Sequence, residues 1–237
     1  LVTVPYREDR EDLDALLDRV QRENPPLVYF ANPDNPMGSW WDADSIVAFA
    51  RALPQTTLLI LDEAYCETAP AGSTPPIAAL IDMPNVIRTR TFSKAYGLAG
   101  ARVGYAITTQ GTAKAFDKIR NHFGMNRIAV AAALAALGDQ PYLGEVVNKI
   151  AASRNRIAAI VEENGLRALP SATNFVAVDC GRDDAYARAI VDGLLQHGVF
   201  IRMPGVAPLN RCIRISAGQE SDMTLLEEAL PKVLRQI

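Results

Sequence analysis

Between Thr89 and Ile107 the chain reads TRTFSKAYGLAGARVGYAI. Lys94 follows Ser93, and Arg102 stands eight positions further on, with mostly small residues between them. A solvated surface loop has no need of Lys94 and Arg102 set so closely with the hydroxyls of Thr91 and Ser93 among glycine and alanine. A site that holds a phosphate beside a reactive amine does. Phe92, Ala95, Tyr96, Leu98 and Ala99 around the lysine are mainly apolar. Desolvation favours the neutral amine that Schiff-base chemistry requires. Thr91 and Ser93 offer hydroxyls, and the fork of Arg102 suits phosphate oxygens.

Two further segments carry polar groups at the ends of apolar runs. Asp62 ends TTLLILD, with Tyr65 three residues on in LDEAY. Asn32–Gly38, NPDNPMG, holds two Asn-Pro pairs and a glycine, which makes a stiff turn. Each has a plain structural explanation: Asp62 as a strand-end helix cap, Asn32–Gly38 as a strand-to-helix turn. Reading Asp62 as a magnesium ligand of a nucleotidase requires a loop of the form G-x-x-x-x-G-K-[ST], which this sequence does not contain. Taken together the residues fit pyridoxal 5'-phosphate. That cofactor needs a lysine for its aldehyde, a carboxylate for its ring nitrogen, donors at its phenolate oxygen, and cations and hydroxyls at its phosphate. Lys94, Asp62, Tyr65 with Asn35, and Thr91, Ser93 and Arg102 supply these in that order.

The surrounding pattern is one that places such residues at strand ends. Leu13, Leu16, Leu17 and Val20 recur at helical spacing, predicting a helix over Asp12–Glu23. Pro26–Ala31 reads as a buried strand and Asp42–Leu53 as a helix with Asp42 or Asp44 at its start. TTLLILDEAY, NVIRTRTF and ARVGYAI read as further strands, and LVTVPY at the start as another. Strands separated by helices predict a mostly parallel sheet covered on both faces, with ligands beyond the carboxyl ends of the strands. Asn126–Leu137, rich in alanine and leucine, predicts a buried helix, and Tyr142–Asn164 one long helix stopped by Gly165. NFVAVD, VFIR and CIRISAG then read as strands, with helices over Asp183–His197 and Ser221–Gln236. The expected organisation is a large domain over residues 1–138, followed by a long connecting helix and a smaller α+β domain over 139–237.

With 237 residues, 49% hydrophobic and 22% charged, the composition is that of an ordinary globular chain. A net charge of −3 offers nothing for the capture of nucleic acid or an acidic membrane. No apolar run approaches the ~20 residues of a membrane helix, and the N-terminus lacks a secretory pattern. Cys66, Cys180 and Cys212 are odd in number and scattered, as reduced thiols of a cytoplasmic protein are. His122 and His197 are the only histidines, so no zinc-type spacing arises and no metal site is expected.

The motifs resemble those of fold-type I pyridoxal-phosphate enzymes of the class I/II aminotransferase group, histidinol-phosphate aminotransferases in particular. NPDNPMG corresponds to the family's N-P-x-N-P-T-G, LDEAY to its D-E-A-Y, and TFSKAYGLAGARVGY to its S-K-x-x-x-L-A-G-x-R-x-G. GVFIR and CIRISAG resemble its later G-[IV]-x-[IV]-R and L-R-I-[ST]-x-G. The resemblance implies that Lys94 forms the imine with the cofactor and shuttles the α-proton. Asp62 then pairs with the pyridine nitrogen, Asn35 and Tyr65 with the phenolate oxygen, and Ser93, Arg102 and Thr91 with the phosphate. It further implies that Arg214, assisted by Arg202, binds the substrate's carboxylate or phosphate. The implied reaction moves an amino group from an amino acid or phosphorylated amino alcohol to a 2-oxo acid, in a homodimer. Met37 stands where the family has threonine. The family's N-terminal stretch, with its phosphate-binding helix start and stacking aromatic ring, has no counterpart before LVTVPY, and sheet strands and cover are expected to be missing with it. The same scaffold also supports decarboxylation of phosphorylated amino acids, and a chain without those parts could be a non-catalytic remnant.

Overall fold

The computed structural model describes residues 1–121 and 123–237, and His122 lies outside the described residues. Two compact units divide the chain. Leu1–Asp34 with Trp40–Val146 forms the first, and Asn35–Ser39 with Val147–Ile237 the second.

In the first unit, helix α1 (Leu13–Glu23) starts where the Asp12 carboxylate accepts the Ala15 N–H, and stops at Asn24 in the left-handed region. Strand β1 (Leu27–Ala31) leads to α2 (Ala43–Ala52), which Asp42 caps through the Ser45 N–H. There follow β2 (Leu58–Asp62), the short α3 (Ile77–Leu80), β3 (Val86–Thr91), β4 (Gly104–Ile107), α4 (Gln110–Phe116) and α5 (Arg127–Gly138). The sheet runs β1-β2-β3-β4, with the first three strands parallel and β4 antiparallel to β3. Alternation along the strands sorts the faces. Val28, Phe30, Leu59 and Leu61 form one core with Leu13 and Val20 of α1 and Ile46 and Phe49 of α2. The opposite set on β1 is open: Leu27 is 46% exposed and Tyr29 57%. Cover on both faces therefore holds for Val86, Ile87 and Arg88 of β3, all buried, and fails at β1.

Three other expectations are corrected. Leu1–Tyr6 is not a strand: the only pairing in this region is a bridge between Arg7 and Arg10, closed by Glu8 and Asp9 at positive φ. A strand exists only through a partner ladder, and apolar alternation alone does not supply one. VFIR contributes a single bridge, Arg202 to Arg214, and Pro204 soon after has no N–H with which to continue it. Helix α5 is not buried all round. Ala129 and Ala133 are buried, while Ile128 is 81% exposed and Leu134 67%. Its alanines, spaced by four residues, face the first unit's interior, and its large side chains point away.

The second unit contains most of α6 (Gln140–Glu163), then β5 (Arg167–Ala168), β6 (Phe175–Asp179), α7 (Asp184–Gln196), β7 (Cys212–Ser216) and α8 (Glu220–Leu234). The strands form an antiparallel β5-β6-β7 sheet. Ile157 and Ile160 of α6, Ile190 and Leu194 of α7, Leu226 and Leu230 of α8, and Val176, Val178, Ile213 and Ile215 of the sheet make its core. The three cysteines are free thiols. Among the described residues no helix is long and apolar enough to cross a membrane, and no group of side chains could hold a metal ion.

Candidate active site

Asp62 is the last residue of β2, paired in register with Thr89 of β3. Its Oδ1 accepts the Ala64 N–H at 3.0 Å, the turn by which an aspartate closes a strand end. Its Oδ2 accepts the Tyr29 hydroxyl at 2.6 Å. Burial first, and the Asp62 carboxylate next, hold the Tyr29 phenol well above its usual range, so it stays protonated and is the donor. Glu63 turns the other way, into the protein. It pairs through Oε1 with Arg88 at 2.7 Å and through Oε2 with Arg90 at 2.8 Å.

The lysine loop is anchored on both sides of Lys94. After β3, the Phe92 N–H donates to Val103 O, the Leu98 N–H to Phe92 O, and the Gly97 N–H to Lys94 O. Gly97 takes φ 71°, a conformation that a side chain resists. The Phe92 ring packs on Tyr96 and Tyr105, with centroids 4.8 and 5.7 Å away. Phe92 and Val103 pack in turn against Ala129 and Ala133 of α5. The alanine stripe lets the loop come close. Thr91 Oγ1 accepts the Ser93 N–H at 3.1 Å and lies 2.9 Å from Ser93 Oγ. Lys94 is half-buried, with its Nζ 5.1 Å from the ring centre of the buried Tyr65. Arg102 follows the turn Ala99–Ala101 at φ 55° and donates from Nη1 to Ala99 O at 2.8 Å.

Between these elements lies a cleft of about 300 Å³, lined by Asp62, Thr89, Arg90, Thr91, Ser93 and Arg102 among others. Gly104 is part of its wall, where a Cβ would meet Arg90 O at 2.7 Å, so only glycine lets β4 run this near. Two hydroxyls and a guanidinium suit a phosphate. A carboxylate tied down at both oxygens suits a protonated ring nitrogen.

The structure thus gathers Asp62, Thr91, Ser93 and Arg102 around one cleft and sets Tyr65 beside Lys94. Asn35, Arg202 and Arg214 belong to the second unit. There Arg214 donates to Asn35 Oδ1 and lies over the Phe175 ring, 4.8 Å from its centre. Arg202 pairs with Arg214 through the backbone: Arg202 N–H donates to Arg214 O at 3.1 Å, and Arg214 N–H to Arg202 O at 2.6 Å. Met37, in the place of the family's threonine, is fully buried. Sequence reading missed Tyr29 and Arg90. Signals existed for both. Tyr29 shares strand parity with Leu27, opposite to Val28 and Phe30, and Arg90 alternates with Arg88 in an otherwise uncharged strand.

A family model described as aminotransferase class I and II matches residues 1–230. Histidinol-phosphate aminotransferase 2 of Pseudomonas fluorescens is 39% identical over 232 residues, which are 98% of this chain and 62% of that protein. Among solved structures, histidinol-phosphate aminotransferase of Sinorhizobium meliloti, a complex with pyridoxal-5'-phosphate, superposes with a TM-score of 0.98 at 71% identity. The match covers 99% of this chain and 64% of that one. L-threonine-O-3-phosphate decarboxylase of Porphyromonas gingivalis superposes at 0.75 with 21% identity over 90% of this chain and 66% of that one, which shows a common fold alone. The chain therefore spans 62–64% of the length of the first two relatives.

Proposed function

Because this chain belongs to the aminotransferase class I and II family and has its fold-type I architecture, we propose that the protein moves an amino group to a 2-oxo acid, with pyridoxal 5'-phosphate as cofactor. The donor we propose is an amino acid or a phosphorylated amino alcohol of the histidinol-phosphate kind, and the working form a homodimer. The observation that carries the reading is the polar cleft lined by Asp62, Thr91, Ser93 and Arg102, with Lys94 next in the chain to Ser93 in an anchored loop.

The residues fit the cofactor by their chemistry. When bound, pyridoxal phosphate supplies an electron sink for the charge left as the α-proton departs. Thr91 and Ser93 donate hydroxyls to the phosphate, and Arg102 neutralises it. The Asp62 carboxylate keeps the ring nitrogen protonated. Tyr65 and Asn35 donate to the ring oxygen. Lys94 would hold the cofactor by its aldehyde and would move the α-proton. Arg214 and Arg202 hold the carboxylate or phosphate of the substrate. A positioned base of this kind contributes ~10²–10⁴-fold in rate.

The test is borohydride reduction of the full chain with pyridoxal phosphate, followed by peptide mapping. The label is expected on Lys94, and Lys94→Ala should lower transamination by at least ~10²-fold. Label on another lysine, or on none, would refute the assignment. Assaying oxo-product formation from histidinol phosphate against carbon dioxide release from phosphothreonine separates transfer from decarboxylation.

A further inference from the structure

Asp62 is approached from a neighbouring strand by a group that the cofactor roles above leave unused. Tyr29 pairs in register with Ile60, and Asp62 lies two residues further along the adjacent parallel strand, on the same sheet face. A diagonal neighbour at that spacing is within reach of a long aromatic side chain. The contact is made at 2.6 Å, to Oδ2, while the Ala64 N–H holds Oδ1 at 3.0 Å. The carboxylate is thus gripped at both oxygens, by the neighbouring strand β1 on one side and by the turn after β2 on the other. Tyr29 stands on the sheet face opposite Val28 and Phe30, so the core those residues form does not explain why a tyrosine stands here.

We propose that Tyr29 is a positioning residue: its phenol orients the Asp62 carboxylate for the cofactor's ring nitrogen. This rests on the assignment of Asp62 made above. A carboxylate free to rotate about its side chain spreads its lone pairs over many directions, whereas one held at both oxygens presents its remaining lone pairs in one. Tyr29 shares a hydrogen with Oδ2 and does not neutralise it, because the phenol keeps its proton more firmly than usual. Phenylalanine at this place would keep the ring and lose the grip.

A double-mutant cycle on the full chain tests this, with Tyr29→Phe and Asp62→Asn made alone and together. The first readout is the dissociation constant of pyridoxal 5'-phosphate from the apoprotein, by equilibrium dialysis. Tyr29→Phe alone should weaken binding roughly tenfold, the scale of one hydrogen bond to a charged group. In the Asp62→Asn background the same change should move the constant by less than about twofold, since a residue acting through Asp62 has nothing left to act on. Turnover should fall while KM for the amino donor holds. Circular dichroism of the apoproteins checks that each variant is folded. A tenfold loss in both backgrounds would overturn the proposal, as it makes Tyr29 independent of Asp62. So would an unaltered constant in Tyr29→Phe when Asp62→Asn does weaken binding, and the Asp62 assignment would then survive. If neither single change matters, the Asp62 assignment falls and this inference with it.

Discussion

Arg102 illustrates what a residue lining the candidate site tolerates. It is not glycine, yet it holds φ 55°, a conformation costing roughly 1–2 kcal/mol for a residue with a Cβ. Gly97, in the same loop, meets the same demand without that cost. The conformation follows the turn at Ala99–Ala101, and the guanidinium returns to Ala99 O before it lines the cleft. The backbone is strained where a cation is wanted, as strained residues at binding sites often are. Arg102→Gly should therefore give an apoprotein more stable than Arg102→Ala by about 1 kcal/mol in urea unfolding. Both should bind pyridoxal phosphate more weakly than the original. Equal stability of the two variants would show that the left-handed turn carries no strain.

At the scale of elements, the cleft depends on how β2 and β3 are joined. Glu63 follows β2, and Arg88 and Arg90 alternate along β3. Glu63 and Arg88 are each only 1% exposed, and Arg88 also donates to the carbonyls of Pro75 and Pro76. Removing one member of such a pair leaves a buried charge without compensation. Glu63→Gln should cost about 3–5 kcal/mol in urea unfolding. It should also loosen Arg90 in the cleft wall and so weaken cofactor binding. A variant as stable as the original would show that the pair is held by other groups. Helix α5 works differently: its small residues let the lysine loop settle, and its large residues take no part in that packing.

Those large residues matter to the whole molecule. Ile119, Phe123, Ile128 and Leu134, all within the stretch that ends in α5, are strongly exposed. In the proposed homodimer a second copy is expected to cover such exposed apolar side chains. Sedimentation equilibrium of the full chain should give twice the chain mass. Ile128→Asp combined with Leu134→Asp should lower it to that of one chain, with helicity kept. A dimer that survives both changes has its interface elsewhere.

The roles proposed for Lys94, Asp62, Ser93 and Arg102 could be read from the sequence because the patterns that suggest them are local. A lysine after a hydroxyl, small residues up to an arginine, and an acid ending an apolar run are patterns within short segments. The order of helices and strands was legible for the same reason: it follows from the spacing of apolar side chains along one segment. What escaped depended on partners distant in sequence. LVTVPY and VFIR alternate like strands but find no ladder to join. The helix over Arg127–Gly138 is apolar after its first residue, and only its contact with the lysine loop decides that its alanines are inside and its isoleucine and leucine outside. Tyr29 and Asp62 are 33 positions apart, and no local pattern joins them. Sequence by itself determined which residues are candidates for the chemistry, since side-chain type is a local property. Tertiary structure alone decided which of them meet, because strand register sets which side chains share a face.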